Sequence, residues 1–132
     1  DGAKNMINKA KLKDSKSRYI MLDLNHLQDY HSSFDIVFSM EVFYYLNNPK
    51  EVIQHVWNNN LNKGGCFILG VDHYMENQLS LSWPTDLDVT MKTYTILQWK
   101  DMFMQAGFIN ISSFFVGKKK NWNGTLVLYG EK

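Results

Sequence analysis

Three polar residues stand where apolar runs stop. Asp23 follows Tyr19-Ile20-Met21-Leu22, Ser39 closes the run from Phe34, and Asp72 follows Cys66-Phe67-Ile68-Leu69-Gly70-Val71. Short runs of this kind, apolar on both faces, read as parallel strands buried under helices. Open parallel sheets bind ligands beyond the carboxyl ends of their strands, so these three side chains are the first candidates to touch one. A carboxylate held there accepts hydrogen bonds from a sugar hydroxyl or an exocyclic amine. The plainer alternative is an aspartate that caps a turn.

Other chemistries find less support. The four histidines, at 26, 31, 55 and 73, show neither an HExxH pattern nor paired-ligand spacing, so no metal is expected. The single cysteine, Cys66, excludes an internal disulfide and a multi-cysteine zinc site. At the start of a buried strand it reads as a small hydrophobe rather than a nucleophile. No G-x-G-x-x-G loop occurs anywhere in the chain.

The elements that must carry these residues follow from periodicity. Met6, Ile7 and Ala10 recur at helical spacing and predict a helix over about 3–12. Strands are predicted over 19–22, 34–39 and 66–71. Between the last two, Asn48 reads as an N-cap, Pro49 as the first helical residue and Glu51 as the partner in a capping box. Val52, Ile53, Val56 and Trp57 form that helix's apolar face, and Gly64-Gly65 end the unit. Residues 73–94 read as irregular. Thr95 and Gln98 predict a second capping box, Trp99, Met102, Phe103 and Ala106 its buried stripe, and Gly107 its stop. Strands over 109–117 and 125–130 then form an antiparallel hairpin around Lys118-Lys119-Lys120 and Asn123-Gly124. The order describes an α/β sheet, parallel first and antiparallel at its end.

The 132 residues make one domain, 1–132, with no repeat or linker to divide it. Hydrophobic residues at 45% and charged residues at 20% fit a folded chain rather than a disordered one. A net charge of +1 gives no field to draw nucleic acid or an anionic membrane, and no apolar stretch approaches the ~20 residues that span a bilayer. The expected setting is cytoplasmic.

Read together, these spacings resemble the class I S-adenosylmethionine-dependent methyltransferases, in particular their small-molecule branch. Asp1-Gly2-Ala3-Lys4-Asn5-Met6-Ile7-Asn8-Lys9-Ala10 matches the acid that ends the family's second strand and the helix after it. Asp23-Leu24-Asn25-His26-Leu27 fits the end of the third strand, and Phe34-Asp35-Ile36-Val37-Phe38-Ser39 through Leu46 fits the fourth. Leu61-Asn62-Lys63-Gly64-Gly65 resembles the turn into the fifth strand, and Ala106-Gly107-Phe108 the approach to the hairpin. The implied fold is a Rossmann-like methyltransferase sheet. Because the match begins at the end of the second strand, the first βα unit and its glycine-rich loop are expected to be missing from this chain.

The resemblance implies S-adenosylmethionine as cofactor and a small-molecule substrate. Asp1 would hold the ribose hydroxyls and Asp23 the adenine amino group, with Leu24 beside the ring and Ser39 and Met40 along the methionine arm. Asp35, at a strand start, would be structural. Methyl transfer from a sulfonium is mainly alignment and desolvation, and a base is optional. His73 is the first choice for one and Glu41 the second. Tyr44, Tyr74 and Trp83 are expected to line the acceptor pocket, the latter two from an insert that begins at Asp72.

Nucleic-acid amino groups are not the expected acceptor, because an Asn/Asp-Pro-Pro-aromatic turn is replaced by Ser39-Met40-Glu41-Val42. The lysines at 118–120 suit a guard on a sheet edge better than a nucleic-acid patch. The rival reading is a non-catalytic fragment or interaction domain that self-associates through its open sheet edge. On either reading a homodimer is the simplest assembly expected.

Overall fold

A four-stranded mixed sheet carries the molecule, and the computed structural model describes residues 2–132 of it. Its strands are β1 (Phe34–Met40), β2 (Leu61–Val71), β3 (Ile109–Val116) and β4 (Thr125–Glu131), in the spatial order β1-β2-β4-β3. β1 and β2 are parallel, from Ile36 opposite Cys66 to Met40 opposite Gly70. β4 runs antiparallel to both β2 and β3. This is the parallel-then-antiparallel arrangement that the sequence pattern implies.

Helix α1 (Lys4–Lys13) precedes the sheet, α2 (Pro49–His55) links β1 to β2, and α4 (Ile96–Ala106) precedes the hairpin. Between β2 and α4 lie a 3₁₀ turn (Gln78–Ser80) and one α-helical turn, α3 (Trp83–Asp86). Strand side chains alternate between faces. Phe67, Leu69, Val71, Leu126 and Leu128 therefore share one face, where they meet Ile53 and Val56 near α2 and Trp99 and Phe103 of α4 in one core. Phe67 stacks on Phe103 with ring centres 5.2 Å apart and planes within 7°. The α4 capping box forms as expected: Gln98 N–H donates to Thr95 Oγ1 at 3.1 Å, and Thr95 N–H donates to Gln98 Oε1 at 2.8 Å.

Four expectations are corrected. Residues 19–22 form no strand, because no strand among the described residues lies beside them to complete a ladder. Their apolar character goes instead to the wall of a cleft. In α1 only Ile7 is buried, and Met6, expected on the same face, is exposed. At α2, Asn48 holds the N-cap position but its side chain makes no capping hydrogen bond. Gly64-Gly65 do not end the helix. A single wide turn, Val56–Asn60, passes straight into β2, and the glycines lie in a bulge opposite Phe34–Ile36. A Cβ on Gly65 would sit 2.8 Å from the Asp35 carbonyl oxygen, so only glycine fits.

The second sheet face has no helix packed over it among the described residues. Ile36 is 62% and Phe38 61% exposed, and Phe114 and Val116 are exposed too. Among the described residues no helix is long and apolar enough to cross a membrane.

Candidate functional site

At the carboxyl end of β1 the chain leaves the sheet through Glu41 and Val42, and the segment after α1 returns beside it. Between them is a cleft of about 440 Å³ lined by Gly2, Leu22, Asp23, Leu24, Phe38, Ser39, Met40, Val42 and Leu46. Asp23, Leu24, Ser39 and Met40, singled out from sequence, are thus brought together. Asp1 lies outside the described residues. An apolar cleft of about 360 Å³ shares Leu22, Leu24, Phe38 and Ser39 with the first and runs on past Leu27, Tyr30 and Phe34. The Met40 side chain lies flat across Gly70, where any Cβ would collide with its sulfur.

Asp23 also does what the plainer reading expects. Its Oδ1 accepts from Asn25 N–H at 2.9 Å and from Asn25 Nδ2 at 3.1 Å, capping the 3₁₀ turn Leu24–Asp29. Its Oδ2 lies 3.2 Å from His26 Nδ1. The backbone bond from Asn25 holds this exposed carboxyl below the usual range, so it is an anion at neutral pH. Asp35 lies at the start of β1, where its Oδ1 accepts from Asn62 Nδ2 at 2.9 Å, away from the cleft.

Glu41 and Asp72 follow paired strand ends, one residue beyond Met40 and Val71. Glu41 N–H donates to the Gly70 carbonyl at 3.0 Å, and Glu41 itself holds a left-handed backbone with φ 58°. Its Oε2 accepts from the Tyr44 hydroxyl at 2.8 Å and from Asp72 N–H at 3.1 Å. Glu41 Oε1 and Asp72 Oδ1 are both buried without a hydrogen-bond partner. Burial pushes the Glu41 carboxyl up to about 7; the Tyr44 hydroxyl opposes this and the Asp72 charge adds to it. Burial, reinforced by Glu41, raises the Tyr44 phenol well above its ordinary value. Sequence reading named both acids but did not pair them. The signal was present in their like positions after two strands that run parallel.

The insert places its expected site residues differently. His73 is fully buried, with Nδ1 2.8 Å from the Ser80 carbonyl oxygen and Nε2 2.7 Å from Thr93 Oγ1. Both ring nitrogens are engaged, so the free imidazole expected of a base is not presented. Tyr74 is fully buried and donates to the Gly124 carbonyl at 3.0 Å, and its phenol is pushed up to about 12, mainly by burial. Tyr44 is buried against Tyr45 and His73. Neither tyrosine lines the two clefts beside β1. Trp83 is half-buried and stacks between His73 and Trp122. Among the described residues no three His, Cys, Asp or Glu side chains converge to hold a metal ion.

A family model described as a methyltransferase domain matches residues 1–69, just over half of the chain. The chain belongs to that family. No curated protein matches it in sequence, but solved structures match the methyltransferase domain in fold. One is a complex between the Haloferax volcanii Trm112 methyltransferase activator and a methyltransferase, at 23% identity and a TM-score of 0.82, covering 99% of this chain and 68% of that one. A second is an S-adenosylmethionine-dependent methyltransferase from Mesorhizobium loti, at 16% identity and 0.79, covering 100% and 78%. A third is PigF with SAH, at 14% identity and 0.59, covering 74% of this chain but only 30% of PigF. The Rossmann-like methyltransferase sheet that the resemblance implies is therefore the fold observed.

Proposed function

We propose that this methyltransferase domain takes part in methyl transfer from S-adenosylmethionine to a small-molecule acceptor. The observation that carries the reading is the cleft beyond β1, where Asp23, Leu24, Ser39 and Met40 meet. These residues fit the cofactor's nucleoside side. Leu22, Leu24 and Leu46 give apolar walls for a base, and the Asp23 carboxylate is an acceptor for an amino group. Ser39 and Met40 line the way toward the methionine arm, and Asp1 is the proposed holder of the ribose hydroxyls. Bound S-adenosylmethionine supplies a methyl group already activated on a sulfonium.

The chain's own part is alignment and exclusion of water. Neither His73, with both nitrogens engaged, nor Glu41, whose Oε1 is buried, offers the cleft a free basic atom. A small acceptor suits a turn that lacks the Pro-Pro-aromatic pattern. A cytoplasmic setting and a homodimer formed through the open sheet edge complete the reading. Calorimetric titration of the folded chain with S-adenosylhomocysteine tests it: micromolar binding supports the cofactor assignment, and no binding removes it from this chain.

A further inference from the structure

Glu41 and Asp72 raise a question that the cleft does not answer. Two buried carboxyl oxygens, Glu41 Oε1 and Asp72 Oδ1, have no donor, and Asp72 N–H donates to the other Glu41 oxygen at 3.1 Å, which sets the two residues side by side. A buried acceptor without a donor is expensive, and two side by side more so. One proton would satisfy both.

The surroundings supply no alternative. Glu41 faces the Tyr44 hydroxyl from the turn after β1 and Asp72 from the end of β2. Behind Tyr44 stand Tyr45 and His73, and both His73 nitrogens are taken up inside the insert. Lys92 donates its backbone N–H to the Tyr44 carbonyl at 2.7 Å, but its side chain is exposed. No cation reaches the pair among the described residues.

The pair also sits at the root of residues 73–94. The Asp72 carbonyl accepts from Asn77 Nδ2 at 2.7 Å, and Asp72 N–H is held by Glu41. The insert returns to Tyr44 through Lys92. Whatever holds Glu41 to Asp72 and Tyr44 therefore holds both ends of the insert.

We infer that Glu41 stands as its neutral acid, that its Oε1–H donates to Asp72 Oδ1, and that this one proton fastens the base of the insert over the ends of β1 and β2. Loss of the proton puts two like charges in a buried corner, and the insert lifts at its root. The device is a pH-sensitive clasp. It rests on this geometry and not on methyl transfer, so binding of S-adenosylhomocysteine does not decide it.

The test is amide hydrogen exchange of the whole chain from pH 5.5 to 8.5, corrected for intrinsic rates. Protection in 73–94 falls about tenfold or more across that range while β4 stays protected. Glu41→Gln holds the insert protected throughout, because its amide donates to Asp72 and its oxygen still accepts from Tyr44. Insert protection that ignores pH in the wild type overturns the inference, as does an unchanged pH response in Glu41→Gln. Should that variant fail to fold, carbon-detected NMR of the wild-type carboxyls decides. A Glu41 that titrates near 4.5 overturns the clasp, and one that titrates near neutrality upholds it.

Discussion

Trp83 stacks on Trp122 with ring centres 5.8 Å apart and planes within 18°. One ring belongs to the insert and the other to the loop between β3 and β4, so two segments far apart in sequence share a single aromatic joint at the ligand end of the sheet. His73 extends the stack on the other side of Trp83. Asn123 Nδ2, donating to the Glu76 carbonyl at 2.6 Å, ties the same two segments together.

Breaking this joint should loosen the insert before the sheet. Trp122→Ala is expected to remove about 1 kcal/mol of aromatic pairing beyond its buried area. The signature is a red shift in Trp83 fluorescence well below the global melting transition. Coincident transitions would show the joint to be part of the core.

Asp23→Ala is expected to weaken binding of S-adenosylhomocysteine by roughly 1–3 kcal/mol, the loss of one hydrogen bond to a charged acceptor. Because Asp23 also caps a turn, Asp23→Asn serves as a control: it keeps an oxygen for Asn25 and removes the charge. Calorimetry on both variants separates the roles. Unchanged affinity in both takes Asp23 out of the site.

Acidity should stabilise the fold over part of its range. Glu41 is raised from an ordinary 4.5 to about 7. Its contribution is therefore fully present below 4.5 and disappears as pH rises through 7. Melting curves between pH 4.5 and 8 should show the wild type losing stability relative to Glu41→Gln as pH increases. A difference that grows in the opposite direction would reverse the assignment.

Phe103→Ala probes the core directly. Phe103 is fully buried between Phe67 and Phe108, 5.2 Å and 4.9 Å away between ring centres. Truncation should cost about 3–5 kcal/mol in denaturant unfolding. A loss under 1 kcal/mol would mean that this side of the sheet is not the main core.

The open sheet edge at β1 predicts self-association. Light scattering should report a species of about two chains, and Phe38→Lys, which places a charge among exposed apolar residues, should reduce it. A monodisperse wild-type monomer contradicts the expectation.

Strong local signals told the truth about the fold. Thr95 and Gln98 made their capping box, and the apolar run at 66–71 became the strand at the centre of the core. The reading failed where an element depends on neighbours. Tyr19–Leu22 has a strand's composition but no strand beside it, and Asn48 has a cap's chemistry without the contact. The glycines at 64–65 looked like a helix stop because a bulge and a stop ask for the same residue. Asn60 supplied the actual constraint, its Nδ2 donating to the carbonyls of Tyr30 and Ser32 at 3.2 and 3.0 Å.

The site was legible to a similar degree. Strand ends marked Asp23, Ser39 and Met40, and the fold gathers them. Composition could not reveal that His73 and Tyr74 are closed in by partners more than five residues away, because such partners are chosen by packing rather than by spacing. The pairing of Glu41 with Asp72 needed the register of β1 on β2.

The backbone at Glu41 carries one more consequence. A left-handed φ of 58° is a conformation that glycine adopts freely and a long acidic side chain resists by about 1–2 kcal/mol. Glycine would ease that corner, but it would leave the Tyr44 hydroxyl and the Asp72 amide without their acceptor. Selection for foldability alone would drift toward the smaller residue, so a glutamate that persists at this position in related chains would mark a requirement other than stability.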